Sequence, residues 1–403
     1  MNTNTDKPYL IPYFDGLRGV AAFVVLLAHM ACAIYPALVS GTKDLSGLSI
    51  LAKLARTPFS LFTAGNSAVC IFFVLSGYVM AMLSNRSNES FIAMSVRRYL
   101  RLAGPAVVSC LLSAWLLKHS LYFNQSIADV TASSWLKQWF LFNGHYHAAL
   151  REGLISIFQF PNSTYNSNLW TLYTEFWGSL SIFFLFHTVK NQYLRLFSFL
   201  LGTLIVLFLY RHYGFFCMFA GATLFHIQQL IHPFFKTKRL NLICLLIGFF
   251  LCSYPDFAPY NKIVTYDWIT FGYQATWYHS AGAILIVYFM HYSDIFKKIF
   301  SLPLFLWFGK ISFSLYLIHL PIICSVGSLV ISLSHSSLPY NVMSILFIII
   351  TTTVSLAFAQ LYTLTIDKFF IRLGHWSSKK IDHYFPVHHD TPSPKAQTSS
   401  ANA

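Results

Sequence analysis

Charge is what this chain has least of. Only 10% of its 403 residues are Asp, Glu, Lys or Arg, and the acids number just 13. A soluble globular chain carries about 25% charged residues. A large solvated surface is therefore excluded, and the length prior for soluble domains does not apply.

Several signatures are missing as well. No GxxxxGK[ST], GxGxxG or HExxH run occurs, which removes the phosphate loop, the dinucleotide fingerprint and the zincin helix. Cys32, Cys70, Cys110, Cys217, Cys244, Cys252 and Cys324 form no CxxC pair and lie in or beside apolar runs. They read as small buried hydrophobes, with neither a disulfide framework nor a metal site implied. The polar N-terminus has no cleavable signal pattern, and Phe14 to Leu38 is too long for a signal core, so we expect it to be the first anchor. No internal repeat is found.

What remains is apolar: 56% of residues are hydrophobic and 18% aromatic. Runs of about twenty apolar residues recur from end to end, as a polytopic helical membrane protein requires. The expected fold class is all-α, with ten spans near 14–38, 60–83, 99–118, 169–189, 194–210, 213–231, 240–254, 271–291, 304–333 and 341–363. The ninth is long enough to tilt or to hold an interfacial turn. A net charge of +14 raises the question of nucleic acid, but no basic–aromatic patch stands out. The basic residues instead follow the positive-inside bias. With both termini cytoplasmic, 17 Lys and Arg fall in inside segments and 8 in outside ones. The expected layout is a cytoplasmic N-terminus at 1–13, a membrane domain at 14–365 and a cytoplasmic tail at 366–403, disordered after Pro386. The segment 119–168, with Trp135, Trp139 and the runs NGHYH and FPNSTYNSN, is then external.

Against this background the polar residues inside the spans stand out. In FDGLRGVAAFVVLLAHM, Arg18 and His29 lie eleven residues apart. That spacing returns a helix to within about 20° and separates the two by about 16 Å, so they share one face. An ionisable group at the depth of His29 is expensive and points to function. Asp15 is placed to pair with Arg18. In VRRYLRL, Arg98 and Arg101 share a face at the cytoplasmic entry of the third span; two guanidiniums suit phosphate groups, although on this feature alone flanking positive charge is the better account. Glu175, in NLWTLYTEFWGSL, is the only Glu inside a span. His319, in GKISFSLYLIHLP, falls about 22 Å from the inner end of its span. Counted this way, His29, Glu175 and His319 share one layer. Ser76-Gly77, in CIFFVLSGYVMAM, lies near the level of Arg18, where helix packing is the simpler account. His145/His147 and His388/His389 have metal-like spacing without further ligands nearby.

Five blocks in order, FDGLRGVAAFVVLLAHM, FFVLSGYVMA, RRYLRL, NLWTLYTEFW and SFSLYLIHLP, resemble those of acyltransferase family 3. These are the multi-pass membrane acyltransferases that modify O-antigen, exopolysaccharide, Nod factor and some macrolide sugars. The resemblance covers about residues 10–365. The family's Arg-or-Lys, ten residues, His pattern falls on Arg18 and His29; its Arg-x-x-Arg falls on Arg98 and Arg101; its tryptophan-and-glutamate block falls on Trp170 and Glu175. Asn168 and Thr171 stand where Ser is usual, and Phe176-Trp177 where a more polar pair is common.

The resemblance implies acetyl transfer from cytoplasmic acetyl-CoA to a hydroxyl of a cell-surface sugar or glycolipid. The expected setting is the cell membrane (the inner one in a Gram-negative cell), among membrane lipids. Neither nucleic acid nor a metal is expected to take part, and the sequence names no protein partner. In this reading His29, Glu175 and His319 are catalytic, with His29 as general base or acyl carrier. Arg18, Arg98, Arg101 and Ser76 bind the donor. A transporter or lipid-linked-sugar flippase using the same charged residues is the alternative.

Overall fold

The computed structural model describes residues 11–40, 49–230, 238–256 and 275–384. The expected N-terminal segment up to residue 10, the tail after Pro386 and the loops carrying Lys43, Lys236 and Lys262 lie outside the described residues. Every regular element among the described residues is helical. We label the ten principal ones α1 (Pro12–Ile34), α2 (Gly65–Arg86), α3 (Phe91–Lys118), α4 (Trp170–Thr188), α5 (Gln192–Tyr210), α6 (Tyr213–Leu230), α7 (Lys238–Cys252), α8 (Ala275–Met290), α9 (Pro303–Ser334) and α10 (Tyr340–Tyr384).

Six of these, α1, α2, α3, α5, α9 and α10, are long and apolar enough to cross a membrane. The expected spans at 169–189, 213–231, 240–254 and 271–291 correspond to α4, α6, α7 and α8, which do not reach that standard over their described lengths. Two ends differ most from expectation. α3 begins at Phe91, eight residues before the expected 99, because Ser90 caps it by accepting from the Ala93 N–H. α10 runs on to Tyr384 through what was expected to be tail, with a π-helical turn at Thr363–Asp367. Its later part packs along α3, where the Phe370 ring fills the space beside Gly104 and Asp382 accepts from the Ser90 N–H at 3.1 Å.

Two apolar cores flank α1, one built chiefly from α2, α6 and α8, the other from α3, α9 and the segment before α4. Glycines set the closest helix contacts. A Cβ on Gly77 of α2 would stand 1.9 Å from the Met218 carbonyl oxygen of α6. A Cβ on Gly19 of α1 would stand 2.3 Å from the backbone nitrogen of Gly309 on α9, and one on Gly309 would stand 2.3 Å from the Asp15 oxygen. Only Gly permits that approach. α5 instead exposes Phe197, Leu200, Leu204 and Phe208, the face a lipid-facing helix presents.

Within α9, Pro321 has no N–H, which frees the Leu317 carbonyl four residues back. Ser109 of α3 donates to that carbonyl at 3.1 Å and Asn166 Nδ2 at 2.5 Å. The proline thus fastens the chain entering α4 onto α9.

Candidate active site

The α1–α9 contact puts two histidines together. Gly19 and His29 are ten residues apart, and so are Gly309 and His319. Contact at one pair therefore brings the other pair level, about 15 Å further along both helices. His29 Nδ1 lies 2.8 Å from His319 Nε2, and the rings stack with centroids 5.0 Å apart. His319 Nδ1 is 2.9 Å from the Leu315 carbonyl, which can only accept, so His319 Nδ1 carries the hydrogen. Its Nε2 is then an acceptor, and His29 Nδ1 must donate to it. That leaves the lone pair of His29 on Nε2. Trp135 stacks on the other side of His29 at 5.2 Å, and Asn168 Nδ2 lies 3.4 Å from His319 Nε2.

His29 lines a cavity of about 420 Å³. Its walls hold three indoles, Trp135, Trp139 and Trp170, together with Asn66, Asn162, Ser163, Ser167, Asn168 and Asp256. Such a lining mixes flat apolar faces with hydrogen-bonding groups, as a hydroxyl-bearing ligand requires.

A second cavity, of about 190 Å³, holds the charges. Arg18, Arg98, Arg101 and Lys310 supply four cations to its wall; Asp15, Glu175 and Asp367 supply three carboxylates. Arg18 donates to Asp15 at 2.8 Å. Arg98 is ion-paired to Glu175 and donates to Ser76 Oγ at 3.2 Å, while Ser76 donates to Glu175 at 2.7 Å. Arg101 and Lys310 make no direct hydrogen bond or salt bridge among the described residues. The Nε atoms of Arg18 and Arg98 are buried without a protein partner. Two cations free of direct hydrogen bonds, Arg101 near the Asp15 and Asp367 carboxylates among them, and two buried guanidinium N–H groups fit a polyanionic group such as a chain of phosphates.

The structure thus gathers Arg18, Ser76, Arg98 and Arg101 in one cavity and places His29 on the wall of the other, with His319 buried behind it. Glu175 is the exception to the expected layer: it sits with the arginines, away from the histidines. The depth count started at the beginning of α4 as if that were the membrane surface. In fact Asn166, Asn168 and Leu169 are buried, the two Asn side chains bonding to α3 and α9, so α4 starts inside the protein. Three residues at the site carried no strong signal in sequence. Lys310 and Tyr316 lie in a quoted block but look ordinary there, and Asp367 lies beyond the expected last span.

A family model described as an acyltransferase domain matches residues 11–363. Acyltransferase clz18 of Cochliobolus lunatus is 24% identical over an alignment spanning 80% of this chain and 84% of that protein. Acyltransferase R4 of Phoma sp. is 23% identical, spanning 79% of this chain and 84% of that protein. No solved structure gives a significant match.

Proposed function

Since the chain belongs to the acyltransferase 3 family, we propose that it is a membrane O-acetyltransferase that takes acetyl from acetyl-CoA and gives it to a hydroxyl of a cell-surface sugar or glycolipid. The observation that carries this reading is the pair of cavities served by one helix, with donor-type cations at Arg18 and a base at His29.

In this reading Arg18, Arg98, Arg101 and Lys310 hold the phosphates of the donor. Glu175 and Ser76 fix the Arg98 guanidinium and so position it. The acceptor rests against the indoles and amides of the histidine cavity, with the reacting hydroxyl at His29 Nε2. His29 takes the hydroxyl proton as the oxygen attacks the thioester carbonyl; the C–S bond breaks and the thiolate leaves, to be reprotonated from His29. His319 holds His29 in the tautomer this needs, much as an acidic partner does in hydrolase triads. A general base of this kind contributes about 10²–10⁴ in rate.

The test is mass spectrometry of surface glycans and glycolipids from cells lacking the gene, complemented with wild type or with His29→Ala. Wild type alone should restore the mass of an acetyl group. Equal restoration by His29→Ala at matched expression rejects the role of His29. No acyl difference in any glycan rejects the sugar acceptor.

A further inference from the structure

Val69 and Tyr316 are the only described residues that line both cavities. Tyr316 is the larger, and it is 8% exposed. Its ring packs edge-on to Phe72 with centroids 6.0 Å apart, and lies 5.9 Å from the His319 ring. Its hydroxyl is held twice: it donates to the Asn168 carbonyl at 2.8 Å and accepts from Thr171 Oγ1 at 3.1 Å. The ring therefore stands as a wall between the arginines and His29, latched by its own oxygen.

We infer that Tyr316 is a specificity-determining residue that decides whether the acyl group goes to the acceptor hydroxyl or to water. The inference rests on the acyltransferase reading above. A donor anchored at the arginines must bring its thioester carbonyl past Tyr316 to meet His29. The base would activate water in the same cavity as readily as it activates a sugar hydroxyl. In that side reaction water attacks the carbonyl, the C–S bond breaks, His29 carries one proton from water to the thiolate, and acetic acid is released with free CoA thiol, losing its remaining proton to solvent as acetate. A closed ring keeps the thioester out of reach while only water is present.

The latch lies where an acceptor could release it. The carbonyl that holds the Tyr316 hydroxyl belongs to Asn168, whose side chain lines the acceptor cavity and contacts His319. Asn168 also bonds the Tyr316 backbone carbonyl through Nδ2 at 3.4 Å. An acceptor seated against residues 161–168 thus presses on the segment that fixes the ring. Arrival of the acceptor and opening of the path are coupled through one residue.

The experiment uses the full chain in lipid nanodiscs with acetyl-CoA, with and without a glycolipid extract of host membranes as acceptor. Thiol release, free acetate and transferred acetyl are measured together. In Tyr316→Ala, acceptor-independent acetate release should rise about tenfold, as expected when a barrier of one or two hydrogen bonds is removed. Tyr316→Phe keeps the wall and loses the latch, so it should fall between. It also decides the matter if the Ala variant does not fold. His29→Ala combined with either change should remove the extra acetate. An unchanged ratio of acetate to transferred acetyl in both Tyr316 variants, with normal transfer by wild type, overturns the inference alone. Failure of wild type to release thiol with any acceptor overturns the acyltransferase reading and this inference with it.

Discussion

His29 Nδ1 and His319 Nε2 meet at 2.8 Å, and the hydrogen between them belongs to His29 because the other nitrogen of His319 is committed to the Leu315 carbonyl. The two rings act as one unit whose exposed basic atom is His29 Nε2. His29→Ala should lower transfer by about 10²–10⁴. His319→Ala should lower kcat while leaving the donor KM near wild type, because it misorients the base without touching the donor cavity. The double variant should be no worse than His29→Ala, since residues acting as a unit are not additive. Initial rates of acetyl transfer, normalised to folded protein, check this. Multiplicative losses would show that the histidines act separately.

The meeting of the histidines depends on the glycine contact ten residues below it. Gly19→Ala puts a methyl 2.3 Å from the Gly309 nitrogen, where only backbone can move. Overpacking of this kind costs about 1–3 kcal/mol. Thermal unfolding in detergent should therefore shift down. Transfer should fall further than the stability loss alone explains, because α1 and α9 separate. Gly202→Ala on α5 is the control: its Cβ meets only the Phe219 ring, at 3.2 Å. Equal losses in the two variants would remove the glycine pair from any role in setting register.

Much of this was legible in the sequence, for physical reasons. A histidine inside an apolar run is costly, so His29 and His319 announce themselves, and equal rise from equal residue counts puts them level. Arg98 and Arg101 are legible as a shared face. The position of Glu175 was not legible, because a depth count needs to know where a helix meets water, and the residues leading into α4, Asn166, Asn168 and Leu169, are buried. The length of α10 was hidden for a related reason: Lys368 to Tyr384 carries charge that marks the end of a membrane run, yet the helix continues because it packs along α3. Tyr316 gave no signal at all. A tyrosine in SFSLYLIHLP is ordinary until two cavities are seen on either side of it.

The proposed role of Glu175, fixing Arg98, separates it from the histidines. Glu175→Gln keeps the volume and removes the charge opposite Arg98. A hydrogen bond between charged groups is worth about 1.5–3 kcal/mol, so the donor KM should rise about tenfold or more. The acceptor KM should stay close to wild type, because the hydrogen-bond partners of the Glu175 carboxylate among the described residues are Ser76 and Arg98, both of the donor cavity. Steady-state kinetics with each substrate varied in turn separate the two. A fall in kcat with the donor KM unchanged would return Glu175 to the proton chemistry at His29.

The acceptor wall has its own anchor. Glu152 is buried on a π-helical turn, where Oε1 accepts from Ser163 Oγ at 2.6 Å and from the Thr164 and Tyr165 N–H groups at 3.0 and 2.8 Å. A Cβ on the neighbouring Gly153 would lie 2.6 Å from Val107 Cα, so this turn is seated directly on α3. One carboxylate oxygen thus ties residues 163–165 to the helix bundle, and the same stretch continues into Ser167, Asn168 and Trp170 of the acceptor cavity. Glu152→Ala leaves these three donors, and the Cys110 thiol of α3 at 4.0 Å, without their acceptor, at about 1–3 kcal/mol for each N–H or O–H that stays buried. The segment should loosen. The acceptor KM should then rise about tenfold or more, with the donor KM unchanged, because no arginine of the donor cavity lies on this segment. Glu152→Gln retains an acceptor oxygen and should recover most of the loss. Equal defects in the Ala and Gln variants would mean that the negative charge, rather than the hydrogen bonds to the loop, is what the acceptor wall requires.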